Sequence, residues 1–346
     1  MQVDLKQGNK SIEYKLVVFG SAWDVYTHAF HDIIENPSCQ YLTPFSQIGW
    51  RGYLQRFLFN PRWSKWIPAK WKTSWTKYYT SNLHDQHYCF VILENWLRIE
   101  SNTQLLPYLH QSFPHAYIVC YLQDLLTRTI DQYTHEPISI DYLKQYTHLI
   151  LSYDRNDVEK YHIHYAPTVY SPIALNAIKP AEACDLYFLG TDKGRLDLLV
   201  DICREMEKRS MTCQFYVIGL PKSKQIKQKG MYYPSHPLSY AQNIQHIAAA
   251  NCVLELLQAN AQSETFRTWE CIMMNKKLLT NNDSIKDSAW YDKQYISTFN
   301  GLSDINWEFI ASHKQPWTEN PYKALITPNT LLEKIEQLLQ IRIDYK

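Results

Sequence analysis

Apolar residues along the chain gather into short unbroken runs separated by amphipathic stretches. In the first half the runs are Leu16–Phe19, Tyr88–Leu93, Ala116–Tyr121 and His148–Leu151. In the second half they are Leu186–Leu189, Gln214–Ile218, Cys252–Leu256, Lys277–Thr280 and the weaker Gln294–Thr298. None alternates with period two, which predicts strands buried on both faces of a parallel sheet. The stretches between them predict helices. After Gly194, the residues Leu196, Leu199, Val200, Cys203 and Met206 fall on one helical face. Ser239 and Gln242 form a capping box that opens a helix carrying Ile244, Ile247 and Ala248. Strand and helix alternating in this way predict an α/β fold with parallel sheets.

The pattern restarts near residue 184, after a stretch punctuated by Pro167, Pro172 and Pro180. A chain of 346 residues also exceeds what one hydrophobic core usually serves. The expectation is therefore two Rossmann-like domains, 1–172 and 173–328, with parallel sheets facing across a cleft. A terminal helix, 329–346, is expected to pack back toward the first domain.

Composition narrows the function classes. With 35 basic against 34 acidic side chains, the net charge of +1 gives no global push toward nucleic acid or membrane. The opening MQVDLKQGNKSIEYK has no apolar run and reads as no signal peptide, and no stretch reaches the roughly 18 apolar residues of a membrane span. The eight cysteines show no CxxC pair and read as buried, reduced thiols of a cytoplasmic protein. His162 and His164, in YHIHY, fit a strand or loop better than a metal site.

In parallel sheets ligands sit beyond the strand carboxyl ends, against helix N-termini. One such place is Gly190–Arg195, where Lys193 and Arg195 put two cations near a helix start. That suits a diphosphate; an ordinary turn with solvated charges is the alternative. The other follows the run VLELL: Gln258, a small polar loop through Ser263 and Glu264, then a helix beginning around Thr265. Arg267 would lie in its first turn beside unpaired amides, with Thr268, and Glu270 one turn deeper on the same side. A capping Thr with a surface Glu/Arg pair is the alternative here. The next run ends in Asn281–Asn282, at the same rim.

The segments FLGTDKGRLDLL, YYPSHPLSYAQNIQHIAAANCVLELLQ, ETFRTWE and NKKLLTNN, in this order over about residues 184–282, resemble a bacterial glycosyltransferase family of lipopolysaccharide and capsular polysaccharide biosynthesis. SYDRNDVEKYHIHYAPTVYSP also resembles it, while the first 140 residues match only weakly. The resemblance implies the two-Rossmann-domain GT-B fold, with an acceptor-binding first domain and a nucleotide-sugar-binding second domain. It implies Lys193, Arg195, Arg267 and the amides around Thr268 on the donor diphosphate, Glu270 on the ribose, and the loop near Tyr233–Leu238 beside the nucleobase. In one respect the chain departs from the family: Ser263 replaces a Gly seven residues before Glu270, and Glu264 replaces an apolar residue. A carboxylate beside the expected donor sugar would contact its hydroxyls, or else it marks a changed donor preference or activity.

Transfer through an oxocarbenium-like state builds negative charge on the leaving diphosphate, which Arg, Lys and helix N-termini stabilise. No D-x-D follows a strand, so neither a metal nor a further cofactor is expected. An acceptor base would come from the first domain, with Asp24, His28 and Asp124 as the candidates. The acceptor implied is a cell-surface glycan or lipid-linked oligosaccharide.

One feature stands apart from the resemblance. From Asn36 to Leu83 there is no Asp or Glu, yet seven Lys or Arg and five of the eleven Trp fall there. Arg56, Arg62, Trp63, Lys65, Trp66, Lys70, Trp71, Lys72 and Trp75 interleave cations with aromatics, as in segments that lie on anionic membranes. A peripheral place on the inner face of the cytoplasmic membrane follows from that reading. The segment reads otherwise as a solvated acceptor face, with Trp in the core or stacked on sugar rings, or as a nucleic-acid surface using base stacking. For the whole chain, the alternatives to a transferase are a nucleotide-sugar epimerase of the same fold, which needs a further His/carboxylate set, and a non-catalytic RNA- or membrane-binding protein.

Overall fold

The computed structural model describes residues 12–45, 49–64, 66–85, 87–257, 263–313 and 320–345. It divides into two compact units, 1–167 with 328–346, and 168–327. Strands β1 (Glu13–Phe19), β2 (Gln40–Leu42), β3 (Tyr88–Leu93), β4 (Tyr117–Leu122), β5 (Leu149–Ser152) and β6 (His164–Tyr165) come first. The second unit holds β7 (Cys184–Thr191), β8 (Cys213–Ile218), β9 (Met231–Tyr232), β10 (Ala250–Glu255), β11 (Lys277–Thr280) and β12 (Ile296–Thr298). Past the helix Pro328–Leu339, β13 (Arg342–Asp344) returns to the first unit.

In the first unit the sheet order is β13-β1-β3-β4-β5-β6, every pair parallel. Two strands share the remaining edge of β1: β13 pairs with Glu13–Lys15 and β2 with Val17–Phe19. Asn36 Nδ2 also donates to the Tyr345 carbonyl at 2.7 Å, so the terminal segment is tied to this unit. β3 is buried along its whole length, as are five of the six residues of β4, which is why these runs show no alternation. Phe19, Phe90, Ile92, Ile118 and Cys120 pack with Trp96, Leu105 and Leu109 in its core. Gly20, directly after β1, allows a close approach: a Cβ there would lie 2.0 Å from the Tyr41 ring.

The second unit has the order β12-β11-β10-β7-β8-β9, again all parallel. Counted from β7 this is 3-2-1-4-5-6, the dinucleotide-fold order, with its topological switch between β7 and β10. In the first unit the order reverses at β1, between β2 and β3, the flavodoxin-like arrangement. The helix Leu196–Lys208 buries Leu199, Val200, Cys203 and Met206 against β7 and β8. Ser239 and Gln242 close the capping box of the helix Tyr240–Ala249 in both directions.

All eight cysteines are free; Cys39 is half-buried and the other seven are buried. Among the described residues no helix is long and apolar enough to cross a membrane.

Candidate functional site

At the switch of the second unit, β7 ends in Gly190–Thr191 and the chain turns through Lys193 (φ +47°) and Gly194 (φ +79°), both left-handed, before the next helix. Lys193 is exposed. Asp192 Oδ1 accepts the Arg195 and Leu196 amides at 3.0 and 2.9 Å, so the helix start is already capped by a carboxylate of the chain. The Arg195 guanidinium donates to the carbonyls of Thr191 (2.6 Å), Asp192 (3.1 Å) and Leu256. It thereby bridges the carboxyl ends of β7 and β10, lying over the Phe188 ring at 5.4 Å. Gly190 makes room for it: a Cβ there would come within 3.3 Å of Arg195 Nη2.

Deeper in the same end, Thr265 caps the helix Phe266–Met273, its Oγ1 accepting the Arg267 amide at 3.1 Å. Arg267 Nη1 donates to Glu270 Oε2 at 2.7 Å and to Asn243 Oδ1 at 3.1 Å, and Nη2 donates to the Leu189 carbonyl at 3.1 Å. Glu270 Oε1 accepts from the Tyr240 hydroxyl at 2.8 Å and from Asn243 Nδ2 at 3.0 Å. The carboxylate expected on a ribose is thus buried, with three donors from the protein itself. Burial pushes its carboxyl up, and the Arg267 charge pulls it back only in part.

Glu255, at the tip of β10, went unremarked in the sequence. It is buried and accepts from three threonine hydroxyls: Thr265 (2.6 Å) and Thr268 (2.9 Å) at Oε1, and Thr280 (2.6 Å) at Oε2. The only available signal was an acidic residue inside an apolar run. Asn281 Oδ1 accepts the Leu257 amide at 2.6 Å, fixing the entrance to the loop. Gln258 lies outside the described residues. Ser263 and Glu264 are buried, and Glu264 Oε1 accepts from the Ser288 hydroxyl at 2.5 Å. Tyr233 donates its hydroxyl proton to the Ile226 carbonyl at 3.0 Å.

In the first unit, Asp24 opens the short helix Asp24–Ala29 and is exposed, as is His28 in its last turn. Burial, then the neighbouring His31, lowers the His28 imidazole. Asp124 follows β4, accepting the Leu125 amide at 2.9 Å and Arg98 Nη2 at 3.3 Å. Between these candidates stands a residue that sequence reasoning passed over: Glu94, directly after β3, is 5% exposed. Its Oε1 accepts a long 3.4 Å bond from the Tyr26 hydroxyl and lies 3.8 Å from Arg98 Nη2, and the Gln123 backbone amide also favours the charged carboxylate; among the described residues no hydrogen bond reaches its Oε2. Burial first, and Asp124 second, push this carboxyl up to about 7. Next to it, the buried Gln123 side chain has no hydrogen bond at either amide atom. Glu100 makes the contrast. Burial lifts it to about 7 as well, but it accepts from the Leu105 and Leu106 amides and from the Thr103 and Tyr142 hydroxyls. Glu100 is satisfied at both oxygens, whereas Glu94 is satisfied at one.

In the basic and aromatic segment, Arg56, Arg62, Trp63, Trp66 and Trp71 are exposed. Lys72 and Trp75, expected on that surface, are buried instead. They share the inward face of the helix Ala69–Tyr79 with Thr76, and Lys72 Nζ donates to Asn102 Oδ1 at 2.6 Å and to the Ser64 carbonyl at 3.2 Å. Lys65 and the Lys70 side chain lie outside the described residues. Among the described residues no group of three or more His, Cys, Asp or Glu is placed to hold a metal ion.

No protein-family model and no curated protein sequence matches the chain. Solved structures do. An α,α-trehalose-phosphate synthase (UDP-forming) from Burkholderia vietnamiensis aligns over 94% of this chain and 100% of its own, at 8% identity and a TM-score of 0.52. HepE of Anabaena, in complex with UDP and glucose, covers 94% and 100%, at 10% identity and a TM-score of 0.52. The sucrose-phosphate synthase of Thermosynechococcus elongatus covers 89% and 85%, at 10% identity and a TM-score of 0.51. These likenesses establish the fold: an α/β chain of two parallel-sheet units, built as GT-B glycosyltransferases are.

Two stability predictions follow from the site. Arg267→Ala strands the buried Glu270 charge and costs about 3–5 kcal/mol in urea unfolding, and adding Glu270→Gln restores part of the loss. A single-variant loss below about 1 kcal/mol would mean that the pair does not hold this end together. For Glu94 the folded-state value of about 7 lies above the ordinary carboxyl value of 4.5. Its contribution is therefore present below the unfolded value and is lost as pH rises through about 7. Glu94→Gln removes that loss, so its melting temperature gains on the parent from pH 5 to pH 8; an identical pH profile for both proteins would refute this.

Proposed function

We propose that this chain is a glycosyltransferase that moves a sugar from a nucleotide-diphosphate donor onto a hydroxyl of a cell-surface glycan or lipid-linked oligosaccharide. The observation that carries it is the Arg195 guanidinium. It is half-buried at the switch between β7 and β10, and its hydrogen bonds go to neutral carbonyls rather than to a carboxylate. A positive charge so placed favours an anion at the position where open α/β sheets bind nucleotides. The fold supports the reading, since the protein that shares it from Anabaena holds UDP and glucose.

In this reading Lys193 and Arg195 meet the diphosphate, and the N-terminus of the helix Phe266–Met273 adds its dipole. Arg267 holds Glu270 in place, with the second lone pair of Oε2 left for a ribose hydroxyl. Ser263 and Glu264 border the donor sugar and set its identity. As the acceptor oxygen bonds to the anomeric carbon, the bond from that carbon to the diphosphate oxygen breaks. Its electron pair leaves with the diphosphate, where Arg195 stabilises the charge.

The acceptor proton goes to a carboxylate of the first unit. Glu94 suits this better than Asp24, His28 or Asp124, because it is buried, has an unpartnered oxygen, and titrates near neutrality.

Thermal-shift measurements with UDP-, GDP- and CMP-sugars test the donor half. One nucleotide at about a hundred times its Kd should add some 2.7 kcal/mol, a shift of several degrees, which Arg195→Gln reduces. No response to any nucleotide sinks the proposal. For the acceptor half, transfer should rise with pH and level off above about 7. Glu94→Gln should lower kcat about 100-fold or more while keeping the nucleotide shift; a variant as active as the parent would remove Glu94 from the reaction.

A further inference from the structure

No step of the transfer proposed above calls on the aromatic and cationic stretch between Asn36 and Leu83, and the structure shows how it is presented. The helix Trp50–Leu58 turns Gly52, Gln55 and Leu58 inward, and the helix Ala69–Tyr79 turns Lys72, Trp75 and Thr76 inward. Leu58, Phe59 and Trp75 form a small core of their own beneath the two helices. The outward faces are then as apolar as the inward ones. Of the thirteen large hydrophobic side chains exposed among the described residues, eight lie between Trp50 and Tyr78. Tyr53 and Trp66 are each 76% exposed, Trp50 is 70% and Phe57 is 57%. Single exposed apolar residues are ordinary, but a contiguous group marks an interaction surface.

The outward faces of the two helices join. Arg51 Nη1 donates to the Tyr78 hydroxyl at 3.3 Å, and its guanidinium lies over the Trp50 and Tyr78 rings at 5.6 and 5.7 Å. Arg51, Arg56, Arg62 and Lys77 are all exposed, in a stretch without one acidic residue. Charge decides the occupant. A second copy of the chain docking through the same face would set these cations against one another with no carboxylate to answer them. A nucleic-acid strand would use the rings and the cations, but would leave Leu54 and Phe57 without a role. An anionic bilayer uses all of them: Trp and Tyr settle at the headgroup level, Phe and Leu reach the acyl boundary, and arginines pair with lipid phosphates.

We propose that the outward faces of the helices Trp50–Leu58 and Ala69–Tyr79, with Trp63 and Trp66 between them, dock the protein on an anionic lipid bilayer. Each exposed cation contributes about a fivefold gain in partitioning to an acidic leaflet, and the aromatics fix the depth. The proposal goes beyond the transferase reading and stands without it.

Cosedimentation tests it, using the full chain with vesicles of phosphatidylcholine alone or mixed with phosphatidylglycerol. The expected result is binding to the mixed vesicles, a blue shift of tryptophan emission, and weakening by salt. The triple variant Trp50→Ala, Phe57→Ala, Trp66→Ala should bind at least tenfold more weakly with unchanged circular dichroism, because its altered side chains are exposed. Failure to bind either vesicle overturns the proposal, as does equal binding by the variant. Salt-sensitive binding of a polyuridine oligonucleotide without vesicle binding overturns it in favour of RNA.

Discussion

A parallel sheet leaves its last carbonyls at one end, and in the second unit two half-buried guanidinium groups take up three of them. Arg267 donates to the Leu189 carbonyl, and Arg195 to those of Thr191 and Leu256. Both sit where β7 and β10 part company, so the cations that tie the strand ends together stand among the carboxylates of Asp192, Glu255 and Glu270. Arg267 needs a counter-charge to be buried, and Glu270 supplies it, held in turn by Tyr240 and Asn243. The helices Tyr240–Ala249 and Phe266–Met273 are thereby fixed to the sheet through one polar network rather than through apolar contact alone. Such a network specifies geometry because a half-satisfied version of it is costly.

Most of the sheet was legible in the sequence. Strands buried on both faces must be unbroken apolar runs, and β3, β4, β5, β8 and β11 lie within about a residue of theirs. The capping box at Ser239 was legible because its two partners are three residues apart. β2, β9 and β13 were missed, being only two or three residues long and at sheet edges. Too few residues are buried there to leave a pattern.

The sites were harder to read, for a different reason. That Arg195 would meet Leu256, sixty-one residues away, depends on strand order, which no local spacing encodes. The same holds for Asp192, which takes the helix amides that a diphosphate was expected to occupy. Glu94 and Glu100 show the limit plainly. Six residues apart and both pushed up to about 7, they differ in the donors the fold brings to each and in the charges of Asp124 and Arg98 that only Glu94 feels.

The small strand β13 has a consequence for how the molecule is made. The first edge of β1 waits for Arg342–Asp344, which leave the ribosome after the whole of the second unit. During synthesis the unit that begins first is therefore the one that finishes last. Residues 168–327, continuous in the chain, complete their sheet while the backbone of Glu13–Lys15 still offers unpaired amides and carbonyls to any passing strand. The nascent chain is most exposed to mispairing in that interval, and arrival of the tail ends it.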